Sequence, residues 1–328
     1  MRPQLAASAA FAVDLTTGIE LYSANADLPL QPASTIKIVT ALVAVGILGR
    51  DEQITIEETD LVDPTVFSNM GLLPGDVVSV RDLLAGLLIQ SGGDAALALA
   101  RVAGRTLDPN AVDPVARFVV EMNAYADTIG MTQTDIANPI GADDSERQRT
   151  TARDLVRATE RLLQDWLLAG FVRTPSITVS VGGPNARDVE LVTTNALLER
   201  DDVFGVKTGS EIVAGQCLIT GFWRGDNQII AVVLGSADRY ADTQAMMEDV
   251  DARIRWVALG LGTRSAGATE ALLAEGLTFK IRRTVMMRPD DAEVLTWEVK
   301  PDPLPSYRHG VVVFSIAGRV IASLPVYS

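Results

Sequence analysis

Ser34-Thr35-Ile36-Lys37-Ile38-Val39-Thr40-Ala41-Leu42-Val43-Ala44-Val45-Gly46-Ile47-Leu48 is the stretch on which the fold turns. Its apolar residues fall on every side of a 3.6-residue period, which describes a helix buried at the centre of a domain. Ser34 opens that helix and Lys37 lies one turn in. The apolar run from Ile38 to Leu48, broken by Thr40, falls well short of the roughly 20 residues that span a bilayer, so no transmembrane helix is expected.

Outward from this helix the pattern changes on both sides. Before it, Phe11 to Leu15 and Ile19 to Ser23 have strand character and are joined by Thr16-Thr17-Gly18 as a hairpin. After it, Leu73-Pro74-Gly75-Asp76 marks a turn, and Val77 to Val80 extends from that turn. Leu83, Leu84, Leu87 and Leu88 then have helical spacing up to Ser91-Gly92-Gly93-Asp94, where a second helix starts. Thr151 to Leu168 reads as one amphipathic helix with Leu155, Ala158, Leu162, Leu163 and Trp166 inward and Arg153, Arg157, Glu160 and Arg161 outward.

Strand patterns return at Ile177 to Val181, Val189 to Val192, Gly205 to Thr208, Gln216 to Trp223 and Gln228 to Leu234, and Ala245 to Leu259 reads as a closing helix. Strands therefore flank a helical middle, which predicts an α/β (α+β) domain over residues 1–259 whose sheet draws on both chain ends. Gly260 to Gly267 is glycine-rich and reads as a linker. Beyond it, Leu277 to Met286, Val294 to Val299, Gly310 to Ile316 and Arg319 to Val326 predict a small β-rich domain over 268–328.

Composition excludes several chemistries. The 328 residues carry 28 basic and 42 acidic side chains, a formal net charge of −14, so no basic face is available to a run of phosphates and no nucleic-acid partner is expected. Cys217 is the one cysteine and His309 the one histidine, which leaves no disulfide and no His- or thiolate-rich metal centre. Neither a metal nor a cofactor is expected. Cys217 sits in an apolar strand and reads as a small buried hydrophobe. The start of the chain shows no basic and apolar export signal, since Met1-Arg2-Pro3 leads directly into strand-like residues.

The basic residues divide into twenty-four arginines and four lysines, Lys37, Lys207, Lys280 and Lys300. Arginine keeps its proton in a protein, whereas a desolvated lysine can release one, so lysines kept in an arginine-preferring chain invite a chemical explanation. Ser34 and Lys37 stand at i and i+3 on one helical face, where a neutral lysine takes the serine's proton. The N-terminal N–H groups of that helix favour an oxyanion on an attacked carbonyl. S-x-x-K arises about once by chance in a chain of this length, and about 0.3 times with so few lysines. Lys207-Thr208-Gly209 adds a second cation, a hydroxyl and a glycine that admits a close ligand backbone. Taken alone, that tripeptide is also an ordinary strand end. Ser91-Gly92-Gly93 lies between the two, and the order S-x-x-K, S-x-x, K-T-G is that of penicillin-binding proteins and class A β-lactamases.

Pro32-Ala33-Ser34-Thr35-Ile36-Lys37, Leu73-Pro74-Gly75-Asp76, Ser91-Gly92-Gly93-Asp94-Ala95-Ala96, Asn138-Pro139-Ile140-Gly141, Thr151-Ala152-Arg153-Asp154-Leu155, Thr194-Asn195 with Leu197-Leu198, and Gly205-Val206-Lys207-Thr208-Gly209 together resemble the D-alanyl-D-alanine carboxypeptidases, the low-molecular-mass penicillin-binding proteins. The likeness runs nearly the whole length of the chain. It implies a β-lactamase/transpeptidase-like fold with an antiparallel sheet and a helical subdomain. It also implies a serine peptidase in which Ser34 is acylated, Lys37 is its base and Ser91 relays a proton to the leaving group. Lys207, Thr208, Gly209, Ser210 and Arg239 would hold the substrate, with the carboxylate on Lys207, Thr208 and Arg239 and the oxyanion on the N–H groups of Ser34 and Ser210. The implied partners are peptidoglycan stem peptides and, as covalent inhibitors, β-lactam antibiotics. The implied location is the cell envelope, outside the cytoplasm.

Two departures stand out. Gly93 occupies the place of the family's usual asparagine, whose amide would contact the lysine or the substrate, and Ile140 replaces a histidine. Removing one such donor costs roughly 2–4 kcal/mol in enzymes. Two alternatives follow: a catalytically impaired peptidoglycan-binding homologue, and a class A-like serine β-lactamase, which would need a glutamate to activate water. Glu160 is the sequence's one candidate for that role, and it falls on the outward face of its helix.

Overall fold

A computed structural model describes residues 3–143, 145–263, 267–300 and 310–327. Contacts divide them into two compact units. One runs to Phe222 and resumes over Ile229–Met246; the other takes Trp223–Gln228 and the described residues from Met247 onward.

The first unit opens with the hairpin of β1 (Ala9–Asp14) and β2 (Ile19–Ala24), whose turn is fixed where the Asp14 carboxylate accepts from Thr16 N at 2.8 Å. A 3₁₀ turn, Ala33–Ile36, runs directly into α1 (Lys37–Ile47), and every α1 residue from Lys37 to Ala44 is buried. β3 (Gln53–Thr55) and β4 (Val77–Ser79) form a short ribbon leading to α2 (Val80–Ile89) and α3 (Gly93–Leu107).

α4 (Pro114–Thr128) escapes the sequence reading, although its signals are in the sequence. Asp113 caps it, Pro114 opens it, and Phe118, Met122 and Ala126 form the buried side at steps of four. The amphipathic segment expected as one helix is two, α5 (Ala152–Gln164) and α6 (Trp166–Val172). Asp165 breaks it by turning its carboxylate to the N–H groups of Leu167 and Leu168 at 2.9 and 3.2 Å, so the helical phase restarts there. Trp166, expected inward, is consequently 69% exposed, with the Arg50 guanidinium 5.2 Å from its ring centre.

β5 (Ser176–Val181) and β6 (Arg187–Val192) pair only with each other as a separate ribbon. β7 (Val203–Glu211), β8 (Gly215–Arg224) and β9 (Asn227–Ser236) join the first hairpin in a five-stranded sheet of order β2-β1-β9-β8-β7. β1 pairs antiparallel with both β2 and β9, and β7 pairs antiparallel with β8. Both chain ends of this unit thus build one sheet, as the strand pattern predicts, and all six residues of β1 are buried.

α7 (Arg239–Arg253) ends earlier than the sequence suggests. Residues expected to finish it form β10 (Arg255–Gly260), paired antiparallel with a later strand, so the division between units falls at Met247 and 255–260 group with the second unit. Gly260, at φ +96°, ends β10, a conformation open to glycine. The second unit continues through α8 (Ala268–Ala274), β11 (Thr278–Phe279), β12 (Arg282–Met287), α9 (Pro289–Glu293), β13 (Thr296–Lys300), β14 (Gly310–Ile316) and β15 (Arg319–Tyr327). β12 is the partner of β10, and the remaining strands form a sheet of order β11-β15-β14-β13. Its core gathers Leu259, Leu272, Phe279, Phe314 and Leu324, with the Phe279 and Phe314 rings 6.3 Å apart. His309 and residues 264–266 of the expected linker lie outside the described residues. Among the described residues no helix is long and apolar enough to cross a membrane.

Candidate active site

The turn that presents Ser34 is held from two sides. Ala33 is buried and adopts φ +47°, a strained conformation for a residue with a Cβ. Gly141 packs against it so closely that a Cβ there would lie 2.1 Å from the Ala33 carbonyl oxygen. The Asn138–Gly141 loop keeps its shape because the Asn138 side-chain oxygen accepts from Gly141 N and Ala142 N at 2.8 and 3.0 Å. On the other side β7 approaches at Gly209, where a Cβ would lie 2.9 Å from Ser34 N. Ser34 Oγ is 3.4 Å from the Ile140 carbonyl oxygen. The loop meets the serine through its backbone, so replacing histidine by isoleucine at 140 leaves this contact intact.

Lys37 is 1% exposed and lies at the start of α1. Its Nζ is 2.8 Å from Ser34 Oγ, 2.9 Å from the Ser91 carbonyl oxygen and 3.4 Å from Ser91 Oγ. Burial lowers its pKa from 10.5 to about 7, against the opposing pull of Asp94 and Glu211. A lysine in that state takes a proton from a neighbouring hydroxyl near neutral pH. Ser91 is itself 3% exposed, sits at φ +66° just before α3, and places both its carbonyl and its hydroxyl on the lysine. The three residues expected to do the chemistry therefore converge.

Those expected to bind substrate converge opposite them. Lys207 is 1% exposed and its Nζ donates to the Thr208 carbonyl at 3.0 Å. Its pKa is pushed well down by burial first, then by the charges of Lys37 and Arg239. Thr208 Oγ1 lies 2.5 Å from Thr194 Oγ1. Arg239 reaches over β7 and donates to the Gly209 carbonyl at 2.7 Å and to Ser210 Oγ at 3.0 Å. Its Nε is buried and unpartnered among the described residues. Asp238, its chain neighbour, instead caps α7 by accepting from Tyr240 N and Ala241 N. A gathering of cations with spare donors is what an anionic ligand neutralises.

Between the two groups lies a cavity of about 180 Å³ lined by Ser34, Ser91, Thr208, Gly209, Ser210 and Arg239, joined by Val66, Phe67, Ser68, Thr194 and Glu211. Sequence reasoning misses the roles of these last five. Glu211 carries a faint signal, standing next to Ser210 on the same strand, whereas 66–68 come from a loop whose position depends on the assembled fold. Gly93 is buried, and its N–H donates to the Ser68 carbonyl at 2.8 Å. Glu160 is exposed and lines a separate hollow with Phe11 and Arg153, remote in composition from the serine's cavity. Cys217 is fully buried in β8, and burial raises its thiol to about 11.

The family model described as D-alanyl-D-alanine carboxypeptidase matches residues 1–238. A D-alanyl-D-alanine carboxypeptidase of Streptomyces sp. strain K15 is 32% identical over 243 residues, covering 72% of this chain and 82% of that protein. The D-alanyl-D-alanine carboxypeptidase DacC of Escherichia coli K12 is 34% identical over 248 residues, covering 71% of this chain and 58% of DacC, so the match spans less than two thirds of that relative's length. The crystal structure of the Streptomyces K15 DD-transpeptidase superposes with a TM-score of 0.70 at 30% identity, covering 77% of this chain and 99% of that one.

Proposed function

The chain belongs to the D-alanyl-D-alanine carboxypeptidase family, and from that membership we propose that it removes the terminal D-alanine of peptidoglycan stem peptides through an acyl-enzyme on Ser34. The observation that carries the proposal is the buried Lys37 amine, 2.8 Å from Ser34 Oγ with its pKa near neutrality. Neutral Lys37 Nζ takes the Ser34 proton as Oγ attacks the carbonyl carbon of the penultimate D-alanine. The oxyanion faces the N–H groups of Ser34 and Ser210. Ser91 Oγ, within 3.4 Å of the lysine, passes the proton to the departing D-alanine nitrogen as the peptide bond breaks. Water then attacks the ester, its proton returns through Lys37 to Ser34 Oγ, and the shortened peptide leaves as a carboxylic acid.

Lys207, Thr208 and Arg239 hold the terminal carboxylate, which confines cleavage to the chain end. Gly209 lets β7 come close enough to Ser34 for the bound peptide to lie against both. A β-lactam places its own carboxylate and strained amide in the same positions, and it acylates Ser34 in the same way. Since stem peptides lie outside the cytoplasmic membrane, the site of action is the cell envelope. The motifs occupy the first unit, which is the catalytic domain in this reading, and the second unit is an accessory β-rich domain.

The test is intact mass over time after mixing with benzylpenicillin, for wild type and Ser34→Ala. A lasting adduct on wild type alone is the expected result. A transient adduct with drug hydrolysis would instead indicate a β-lactamase. No adduct would indicate an impaired binding homologue, and labelling of Ser34→Ala would overturn the assignment of the nucleophile.

A further inference from the structure

We propose that Gly93 is the seat of the 62–72 loop and that this loop brings the Ser68 hydroxyl into the cavity as the polar contact for the substrate's peptide group, at the place where the family usually has an asparagine. The inference rests on the functional reading above.

The loop is built onto the start of α3 and the end of α2. Gly93 N donates to the Ser68 carbonyl at 2.8 Å, and the side-chain amide of Gln90 donates to the Asn69 carbonyl at 2.7 Å. The buried Asp94 carboxylate accepts from Met70 N at 2.9 Å and Leu72 N at 3.2 Å. Met70 is 3% exposed and fills space left by two further glycines. A Cβ at Gly86 would lie 1.9 Å from Met70 Sδ, and one at Gly92 would lie 3.1 Å from Met70 Cγ. At Gly93 a Cβ would come 3.1 Å from Val62 Cγ1 and 3.3 Å from the Ser68 carbonyl oxygen. An asparagine side chain there must push into the loop.

Three glycines thus admit a segment that side chains would hold away, and Ser68, Phe67 and Val66 line the same cavity as Ser34, Ser91 and Thr208. A second hollow shares Val66, Phe67, Ser68 and Thr194 with the first, so this segment borders two open spaces. A segment pinned at Ser68, Asn69, Met70 and Leu72 presents its hydroxyl at little entropic cost. The family amide is replaced by a hydroxyl from another element, and no donor is lost.

Ser68 is exposed at the cavity and its side chain supports no part of the core, so Ser68→Ala separates contact from folding. The experiment measures benzylpenicillin acylation rate, turnover of a peptide ending in D-Ala-D-Ala, and melting temperature for wild type, Ser68→Ala and Gly93→Asn. Ser68→Ala is expected to slow acylation and kcat/KM about five- to tenfold, the effect of one neutral hydrogen bond, with an unchanged melting temperature. Gly93→Asn is expected to slow acylation at least as much by displacing the loop. Wild-type rates in Ser68→Ala, or faster acylation in Gly93→Asn, would overturn the inference. A wild type that takes no label overturns the functional reading first, which keeps the two failures apart.

Discussion

Lys37 and Lys207 are both 1% exposed and close enough to feel each other's charge, and their surroundings are opposite. Lys37 is ringed by oxygen: one serine hydroxyl, a carbonyl and a second hydroxyl, all within 3.4 Å, with Asp94 and Glu211 favouring its charged form. Lys207 has a carbonyl 3.0 Å away, and its electrostatic neighbours are the cations Lys37 and Arg239. One environment lets an amine gain and lose a proton around neutrality. The other drives an amine toward losing its proton until an anion comes to hold the charge, which suits the carboxylate-binding role proposed above. Burial alone therefore does not assign a lysine's role; the sign of what surrounds it does.

Substitutions by arginine break this comparison most directly, because arginine keeps charge and loses the ability to give up its proton. Lys37→Arg is expected to cut acylation by about 10³-fold or more, the scale of a lost general base, as read by stopped mass spectrometry. Lys207→Met is next: kcat/KM on a peptide with a free terminal carboxylate is expected to fall roughly 10²-fold, while a C-terminally amidated analogue changes far less. An equal loss on both peptides would mean that Lys207 does not meet the carboxylate.

A smaller and more specific effect concerns pH. Lys37 works when neutral, so acylation should rise through about pH 7 and level off above it. Glu211 raises the Lys37 pKa, so Glu211→Gln should move that limb to lower pH. A limb moving upward would sink this assignment. The same group affects folding with a definite sign: unfolded, it holds its proton up to 10.5, folded only to about 7, so its contribution to stability grows as pH rises between those values. The smallest effects belong to Lys280→Arg and Lys300→Arg. Both side chains are exposed, and activity and melting temperature should stay within about 0.5 kcal/mol of wild type.

Much of this site is legible in the sequence because its parts are local. Ser34 and Lys37 share one turn, Lys207 to Ser210 share one strand, and the scarcity of lysine points at both. What sequence periodicity does not reveal depends on single side chains that override a pattern. Asp165 caps a new helix and turns Trp166 outward; 255–260, apolar after Arg255 and with no alternation, is strand because β12 offers a partner. Glu211 and Ser68 reach the cavity through tertiary assembly, and Ser68 does so through glycines at 86, 92 and 93 whose meaning appears only once Met70 is seen against them. The departure at 93 looks like a loss in the sequence and like an accommodation in the structure.

The single thiol gives the protein one further property. Cys217 is sealed inside β8 with its pKa raised to about 11, so at neutral pH it carries almost no thiolate for peroxide, disulfide or alkylating agents to attack. The protein's one cysteine therefore gives it no thiol response to the redox state of its surroundings. For the same reason a cysteine placed at the exposed Ile212, beyond the Ser210 end of β7, would be the one position open to a maleimide dye, a reporter beside the cavity without first deleting anything.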